Sequence, residues 1–429
     1  MSTLENLLGR VPEILSVKTE AATIAASAPI VVDGLGWIAT IYLSSTQPSG
    51  YWEAAFVVAS PDDLGDVGAL EARFTSRRDA WSRPGALDTE ASSFEDVVGF
   101  EPYDADPDFF APDDETIARR EAALDRCIAR HAAVAEKFAA VYGLRLPMHV
   151  ARFAAFLESL SPLERSGLES SGVSGWGITE WYADGALDRA TIDGLDPRLD
   201  CRFRADPPEF VTVAGGNSDG EHFGLWYDDP AELPSFVVSN FARDSAETHG
   251  DDHCMLHALM GRLDDRDDEL SVGPDIVALE RAVEWFLDLE QTLEPDEREA
   301  SRWTRAARQP ILGGLGPALL PNAGDPRWGY DAYDRRATAY REDASATAAI
   351  VAEARQELAA GKPAFALVVG RELHWRDQKE TNPIALELLV GAYEALGRRA
   401  LAEITRVHHA NRDLQSVSVF VDVAPRARR

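Results

Sequence analysis

Short apolar runs separated by polar turn residues predict a β-meander in the middle of the chain. Residues 201–240 contain three short runs rich in Val, Phe, Trp and Tyr. A Gly-Gly-Asn-Ser-Asp-Gly turn and a turn bracketed by Pro230 and Pro234 separate these runs, as expected for strands joined by short connections. Because proline cannot donate a hydrogen bond to a strand ladder, Pro207-Pro208 predicts a kink or strand switch at that point.

A period close to 3.6 residues predicts helices on both sides of the meander. The helical stretches are residues 115–142, 146–160, 251–263, 276–293 and 338–360. Residues 379–413 predict an αα-hairpin hinged at Gly397, because two apolar-periodic segments flank this glycine. Residues 308–330 are rich in glycine and proline and predict an irregular connection, whereas residues 417–423 have the composition of a strand.

The N-terminal part of the chain has a different pattern. Strand-like runs at 36–44 and 51–60 are joined by a Thr-Gln-Pro-Ser-Gly turn, which predicts a strand-rich unit. The predicted segments are a separate N-terminal domain of unknown role (1–100), an acidic linker with a long helix (101–143), a central α+β region (144–270) and a C-terminal helical region (271–429). The predicted fold class is therefore α+β, with an antiparallel sheet flanked by helices, a C-terminal helical subdomain and the separate strand-rich domain before them.

The composition indicates an acidic protein with reduced thiols. Asp and Glu number 73 against 42 Lys and Arg, which gives a formal net charge of −31. Such a field repels phosphate backbones, so we expect no direct nucleic-acid binding. The negative charge favours a basic partner, although a need for solubility alone also accounts for this charge. Three widely spaced cysteines, no secretory signal and no bilayer-length apolar run predict a cytoplasmic protein without membrane contact.

We expect neither a metal ion nor a cofactor. His253 and His257 lie four residues apart, a spacing that zinc sites use, within the densest cluster of ligand-type residues. No glutamate follows the first histidine and no second cluster completes a known pattern, so polar surface at a helix start is the preferred interpretation. The Gly-Gly-Leu-Gly run at 313–316 is followed by proline and lacks a strand–loop–helix frame, which argues against a dinucleotide site.

Two distant blocks together carry a family resemblance. The first contains Asp-Pro-Pro-Glu-Phe at 206–210, and the second contains Leu-Ala-Glu-Ile and a His-Ala-Asn-Arg segment within 401–412. In this order they resemble the histone PARylation factor family, whose members are accessory subunits of ADP-ribosyltransferases. The resemblance covers roughly residues 144–413. It implies that the chain has no autonomous activity and that its partner is an ADP-ribosyltransferase.

Glu380 is the catalytic residue that this resemblance implies. In the family, a glutamate just ahead of the corresponding helix enters the transferase's active site, completes a composite site and acts as the base for a serine hydroxyl. Aligning ETNPIALELLVGAYEALG without gaps places Glu380 on that glutamate. Such a base is needed, because a serine hydroxyl is a poor nucleophile until its proton is removed. Local sequence alone also fits a solvated glutamate ahead of a helix N-cap at Asn382.

The predicted partner surface departs from the family pattern. The residue before the glutamate is acidic in the animal proteins but is Lys379 here, which reverses the charge. A Gly-rich loop leads to Gly-Tyr-Arg in the family; here Tyr330 is followed by Asp331, and Arg335 or Arg327 is the candidate replacement for the arginine. We therefore predict partner binding through these residues, with a transferase surface different from the animal one.

Two other functions fit parts of the sequence. The central region, with Gly-Trp-Gly at 175–177 and a late Asp-Asp-Pro turn, also resembles the SUKH-type immunity superfamily, whose members are acidic α+β proteins that block toxins. The net negative charge suits capture of a basic toxin, and Glu380 is incidental in that interpretation. A metal-dependent hydrolase built around His253 and His257 is the third alternative.

Overall fold

Helices and antiparallel strands make up the described part of the chain, so the fold is mixed α+β. The computed structural model describes residues 22–26, 30–32, 36–45, 51–58, 112–250, 252–264, 274–291, 301–318 and 325–421. The strands are β1 (Ala22–Ala26), β2 (Ile30–Val32), β3 (Gly36–Ser45), β4 (Tyr51–Val58), β5 (Ser174–Gly175), β6 (Phe210–Gly215), β7 (Glu221–Trp226), β8 (Phe236–Phe241) and β9 (Thr248–Gly250). The helices are α1 (Asp114–Tyr142), α2 (His149–Ser159), α3 (Pro162–Ser171), α4 (Met255–Asp264), α5 (Pro274–Gln291), α6 (Tyr330–Glu342), α7 (Ala344–Ala359), α8 (Ala364–Arg376), α9 (Asn382–Ala395) and α10 (Arg399–Ala410).

The described residues divide into two compact units, and the first contains β1–β4. This unit takes the described residues within Met1–Arg119, Leu160–Gly167 and Asp265–Ala282. Strand β3 pairs antiparallel with β1, β2 and β4, so β3 and β4 coincide with the two predicted strand runs. The rest of the predicted N-terminal domain lies outside the described residues. Its separateness and the four predicted segment boundaries stay predictions.

A five-stranded antiparallel sheet lies in the second unit, which takes the described residues within Arg120–Ser159, Leu168–Asp264 and Val283–Arg429. The strand order is β5-β6-β7-β8-β9, and β6, β7 and β8 confirm the predicted meander. Every residue of β6 and β7 is buried. The side chains of Phe210, Trp226 and Val238 form a core cluster on this sheet.

The Gly-Gly-Leu-Gly run covers the edge strand β9. The N–H of Thr248 donates to the carbonyl of Gly313 at 3.0 Å, and the N–H of Leu315 donates to the carbonyl of Thr248 at 2.9 Å. Gly314 has φ 92°, and a Cβ there would lie 2.2 Å from the Thr248 carbonyl oxygen. The glycines therefore let backbone cover an edge that would otherwise stay open to pairing.

Helix α1 confirms the predicted helix 115–142 and ends at Gly143, which has φ 68°. Its residue Phe138 is buried with ring centroids 6.3 Å from Tyr227 and 6.5 Å from Trp181. The Tyr227 hydroxyl donates to the carbonyl of Arg145 at 2.7 Å, so the end of the meander is joined to the segment after α1. Within the described ranges, no helix combines the length and apolar character that crossing a bilayer requires.

The C-terminal region differs from its predicted elements in three places. The predicted helix 338–360 is two helices, α6 and α7, because Asp343 caps the second: its Oδ1 accepts from the N–H groups of Ser345 and Ala346, each at 2.8 Å. Helix α8, which was not predicted, follows. The predicted strand 417–423 forms only an isolated bridge between Thr191 and Phe420 within the described residues.

The C-terminal αα-hairpin is confirmed by α9 and α10. Gly397 lies between them with φ 74°, a conformation in which other residues are strained. Helix α9 begins at Asn382 with Thr381 as its N-cap residue. The predicted cap at Asn382 is therefore one residue late, because the Asn382 amide instead donates to Asp377 at 3.0 Å.

Candidate functional site

A tight turn between α8 and α9 carries Lys379 and Glu380. The N–H of Thr381 donates to the carbonyl of Gln378 at 2.9 Å, which closes the turn around the two residues. Both side chains are exposed, and Glu380 makes no hydrogen bond or ion pair with any described residue. The turn precedes the N-terminus of α9, where the helix dipole favours negative charge.

Asp377 anchors the start of this turn. It has φ 47° and ψ 41° and follows the last residue of α8. Its Oδ1 accepts from Arg412 Nε at 2.7 Å and from the Asn382 amide at 3.0 Å, and its Oδ2 accepts from Arg204. Burial alone would raise the pKa of Asp377, but the hydrogen bond from Arg204 and the charge of Arg412 outweigh it and lower that pKa. The carboxylate is therefore held ionised between two guanidinium groups.

Arg412 joins the turn to the end of α10 and to α8. Its Nη1 donates to His374 Nδ1 at 2.8 Å and its Nη2 to the His374 carbonyl at 2.7 Å. Burial, with the charge of Arg412 beside it, holds the pKa of His374 well below its usual value. The ring is neutral, so its Nε2–H donates to the carbonyl of Asp206 at 3.0 Å.

The two blocks that carry the family resemblance contact each other. Arg204, just before the Asp-Pro-Pro-Glu-Phe block, donates to the Arg412 carbonyl at 2.9 Å and to Asp413 at 2.7 Å. Glu209 of the same block accepts from the Tyr393 hydroxyl on α9 at 2.6 Å and lies 2.9 Å from Arg371 Nη1 on α8. These contacts hold α8, α9 and the segment after α10 beside the residues that lead into β6.

Asp206 makes a second buried contact in this block. The His222 side chain is fully buried, and its Nε2 lies 3.1 Å from both Asp206 oxygens while its Nδ1 lies 2.8 Å from the Gly220 carbonyl. His222, on β7, thus connects the turn after β6 to the segment that precedes β6.

Tyr330 and Asp331 lie at the start of α6. Tyr330 is 76% exposed, Asp331 is exposed, and Gly329 before them has φ 85°. Arg335 is also exposed, and its Nη2 donates to the Pro326 carbonyl at 2.6 Å. Of the two candidate replacements for the family's arginine, Arg335 is therefore the one that faces solvent.

Arg327 is engaged within the chain. Its Nη2 pairs with Asp325 at 2.6 Å and its Nη1 with Glu357 at 3.0 Å. Its guanidinium also lies 5.8 Å from the ring centroids of Trp328 and Phe365. Recruiting Arg327 to a partner would break these contacts.

Helices α6 and α8 run in the same direction, with the predicted site residues at opposite ends. The rings of Trp328 and Phe365 are 5.9 Å apart at the start, and Arg376 Nη2 donates to the Tyr340 carbonyl at 2.7 Å near the end. An α-helix rises ~1.5 Å per residue, so Tyr330 at the start of α6 lies ~15 Å from the far ends of α6 and α8. The turn with Glu380 follows the far end of α8. Lys379 and Glu380 therefore form one part of the predicted surface, and Tyr330, Asp331 and Arg335 form another.

The fold and this exposed turn define a mixed α+β protein that presents a carboxylate on a fixed backbone. Residues 135–298 match the model of the family described as Histone PARylation factor 1. Histone PARylation factor 1 of Mus musculus is 34% identical over 107 residues, which is 24% of this chain and 31% of the mouse protein. The chain thus spans about a third of the length of this curated relative. The predicted resemblance to this family is therefore confirmed over residues 135–298.

The five predicted site residues all lie outside the matched range. Tyr330, Asp331, Arg335, Lys379 and Glu380 follow residue 298. Their roles therefore stay proposals. The residues that anchor the turn, Asp377 and Arg412 with Arg204, were missed as functional candidates.

Proposed function

We propose that this protein is an accessory factor that binds an ADP-ribosyltransferase and directs modification to serine, with Glu380 as the base of a composite site. The observation that carries the proposal is an exposed Glu380 on a backbone turn held by Asp377. It belongs to a chain whose central region matches a family named for histone PARylation.

The proposed reaction uses the transferase for NAD⁺ binding and Glu380 for proton removal. As the serine oxygen attacks the anomeric carbon of the nicotinamide ribose, the carboxylate accepts the hydroxyl proton. The new C–O bond replaces the C–N bond to nicotinamide, which leaves. Catalysis of this kind requires a base held in place before the substrate arrives, and the contacts of Asp377 supply that rigidity.

The separation of the two parts of the surface favours a protein partner over a small ligand. An interface of standard size covers about 800 Å² on each partner, which is wide enough to include both Tyr330 and Glu380. A small-molecule site is too narrow to include both residues. Lys379 and Asp331 at the two ends then select a transferase whose charges complement them.

Glu380→Gln tests the catalytic part of the proposal. The assay combines the full chain, an ADP-ribosyltransferase from the same source, NAD⁺ and a serine-containing histone-tail peptide. Mass spectrometry locates the modified residue, and hydroxylamine removes esters on Asp or Glu while leaving the serine linkage. General-base catalysis contributes about 10²–10⁴-fold, so we expect at least a ~100-fold lower rate of serine modification with unchanged binding to the transferase.

Glu353→Gln is the matched control, because Glu353 is an exposed glutamate on α7. It leaves the rate unchanged. Serine modification that persists in Glu380→Gln would remove the catalytic role while leaving the accessory role standing. Neutralisation of a basic toxin, with no transferase bound and no effect of Glu380→Gln, would instead support the SUKH-type alternative.

A further inference from the structure

A histidine–cysteine–histidine cluster lies where β9 leads into α4, on elements other than the 378–381 turn. The metal-ligand atoms of His253, Cys254 and His257 all lie within 4.8 Å of one another. The sequence argued against a metal because no glutamate follows the first histidine. The fold, however, places a thiol beside the two imidazoles, and a thiolate adds the soft ligand that zinc prefers.

The backbone around the cluster is fixed by the sheet. The Asp252 carbonyl accepts from the N–H of Val237 on β8 at 2.6 Å, and the N–H of Ala258 donates to the Cys254 carbonyl at 3.1 Å. Cys254 is buried, His257 is half-buried and His253 is exposed. The three donors thus point to one place at the surface, with the thiol at the inner side.

The distances suit a small tetrahedral ion. Cys254 Sγ lies 3.2 Å from His257 Nδ1, and the rings of His253 and His257 are 4.1 Å apart. Ordinary zinc–sulfur and zinc–nitrogen bonds set two donors about 3.5 Å apart. No two of the three ligand atoms lie more than 4.8 Å apart. The exposed His253 ring must therefore move by only about 1 Å for all three atoms to bind the same ion.

Asp252 orients the first histidine. Its Oδ1 lies 2.7 Å from His253 Nδ1, so Nδ1 carries the proton and Nε2 is the ring nitrogen that would bind the ion. A carboxylate behind a metal-bound imidazole is a recurrent arrangement that fixes the tautomer and raises ligand basicity.

We propose that His253, Cys254 and His257 bind one zinc ion, with water as the fourth ligand. Two imidazoles and a thiolate suit zinc and exclude magnesium and calcium, which prefer oxygen. On binding, the Cys254 thiol releases its proton to solvent and its sulfur bonds to zinc, while both imidazoles bind as neutral rings. The site is independent of Glu380 and of the proposed accessory function.

The test is metal content and spectroscopy on the untagged full chain. After chelation and dialysis, zinc is added and excess removed, and elemental analysis measures the bound ion. We expect one zinc per chain and a higher Tm with zinc than without it. Cobalt(II) replaces zinc and gives a thiolate charge-transfer band, which Cys254→Ser abolishes. Asp252→Asn lowers zinc affinity about 10- to 100-fold because it removes the orienting carboxylate.

Cys127→Ser and His249→Gln are the matched controls, since one removes a different buried thiol and the other an exposed imidazole on β9. Both bind zinc as the wild type does. Equal Tm values of all variants without zinc show that they fold. Substoichiometric zinc in the wild type, or wild-type affinity in Cys254→Ser, would overturn the proposal.

Discussion

Asp377 is the residue on which the geometry of the 378–381 turn depends most directly. Aspartate adopts the left-handed conformation more readily than most residues do, and here that conformation turns the chain out of α8. The same side chain then binds Arg204, Arg412 and Asn382. One residue thus sets both the direction of the turn and its attachment to distant parts of the chain.

Asp377→Ala is expected to lower the free energy of unfolding by about 2 kcal/mol, because it leaves charged donors without their carboxylate. Urea denaturation measures this change. Asp413→Ala is the control: Asp413 also pairs with Arg204, but its side chain is 94% exposed, so the expected loss is below about 0.5 kcal/mol. Equal losses in the two variants would contradict the anchoring role.

The hairpin of α9 and α10 shows how one glycine sets the relation of two elements. Gly397 has φ 74°, and no atom lies within 4 Å of a Cβ built there. Substitution at this position therefore strains the backbone without causing a clash. Gly261 within α4 is equally open but has no positive φ, so a side chain there is compatible with the helix.

Two glycine substitutions should change stability in opposite directions. Gly397→Ala is expected to lower the free energy of unfolding by about 1 kcal/mol, since the left-handed conformation costs other residues that much. Gly261→Ala is expected to raise it by about 1 kcal/mol through helix propensity. Thermal and urea unfolding of both variants distinguish these outcomes, and destabilisation by Gly261→Ala would show that propensity does not decide at that position.

Elements with clear periodicity were predicted from the sequence, and elements with buried charge were not. The meander, α1 and the hairpin have regular apolar patterns bounded by Gly or Pro. Helix α8 was missed because Arg371, Glu372 and His374 look like surface residues, although all three are buried. Their partners, such as Arg336 for Glu372, come from other elements. The run of apolar residues after Pro363 was the available signal.

The C-terminal region of the molecule is held together by buried polar contacts as well as by apolar packing. Glu372, fully buried, accepts from Arg336 at 2.8 Å and from the Tyr340 hydroxyl at 2.9 Å. Burial raises the pKa of Glu372, although the Arg336 hydrogen bond opposes this. Removing one partner of such a pair generally costs about 3–5 kcal/mol, because the other charge stays buried without compensation.

Stability is expected to fall as pH drops from about 7 to about 5. Burial and nearby arginine charge hold the pKa values of His374 and His408 well below the usual value, and lower the pKa of His409 to about 4. When unfolded, these three histidines take up protons near pH 6.5, whereas in the folded chain they do not. Because the unfolded state then binds more protons, acid favours unfolding.

Denaturation at several pH values measures this slope. His409→Gln flattens it, because one histidine that titrates only after unfolding has been removed. His249→Gln, which removes an exposed imidazole on β9, is the control. A slope that His409→Gln leaves unchanged would assign the acid sensitivity to other groups.

For the molecule as a whole, the sequence predicts where the turn with Glu380 lies but not which distant residues anchor that turn. The position of Glu380 ahead of a helix follows from Asn382-Pro383 and the periodicity after it. The anchor does not, because Arg204 lies 173 residues from Asp377. Only the folded chain brings such residues together.

The division between anchored and exposed residues has a consequence for divergence among relatives. The contacts that hold the turn use Asp377 and Arg412, whereas Lys379 and Glu380 face solvent. Exchanging Lys379 for an acid therefore has little effect on folding. Under the proposed function, selection acts on the turn and the transferase together, so each lineage keeps a matched pair. Pairs mixed across lineages then fail to associate even though both proteins fold correctly.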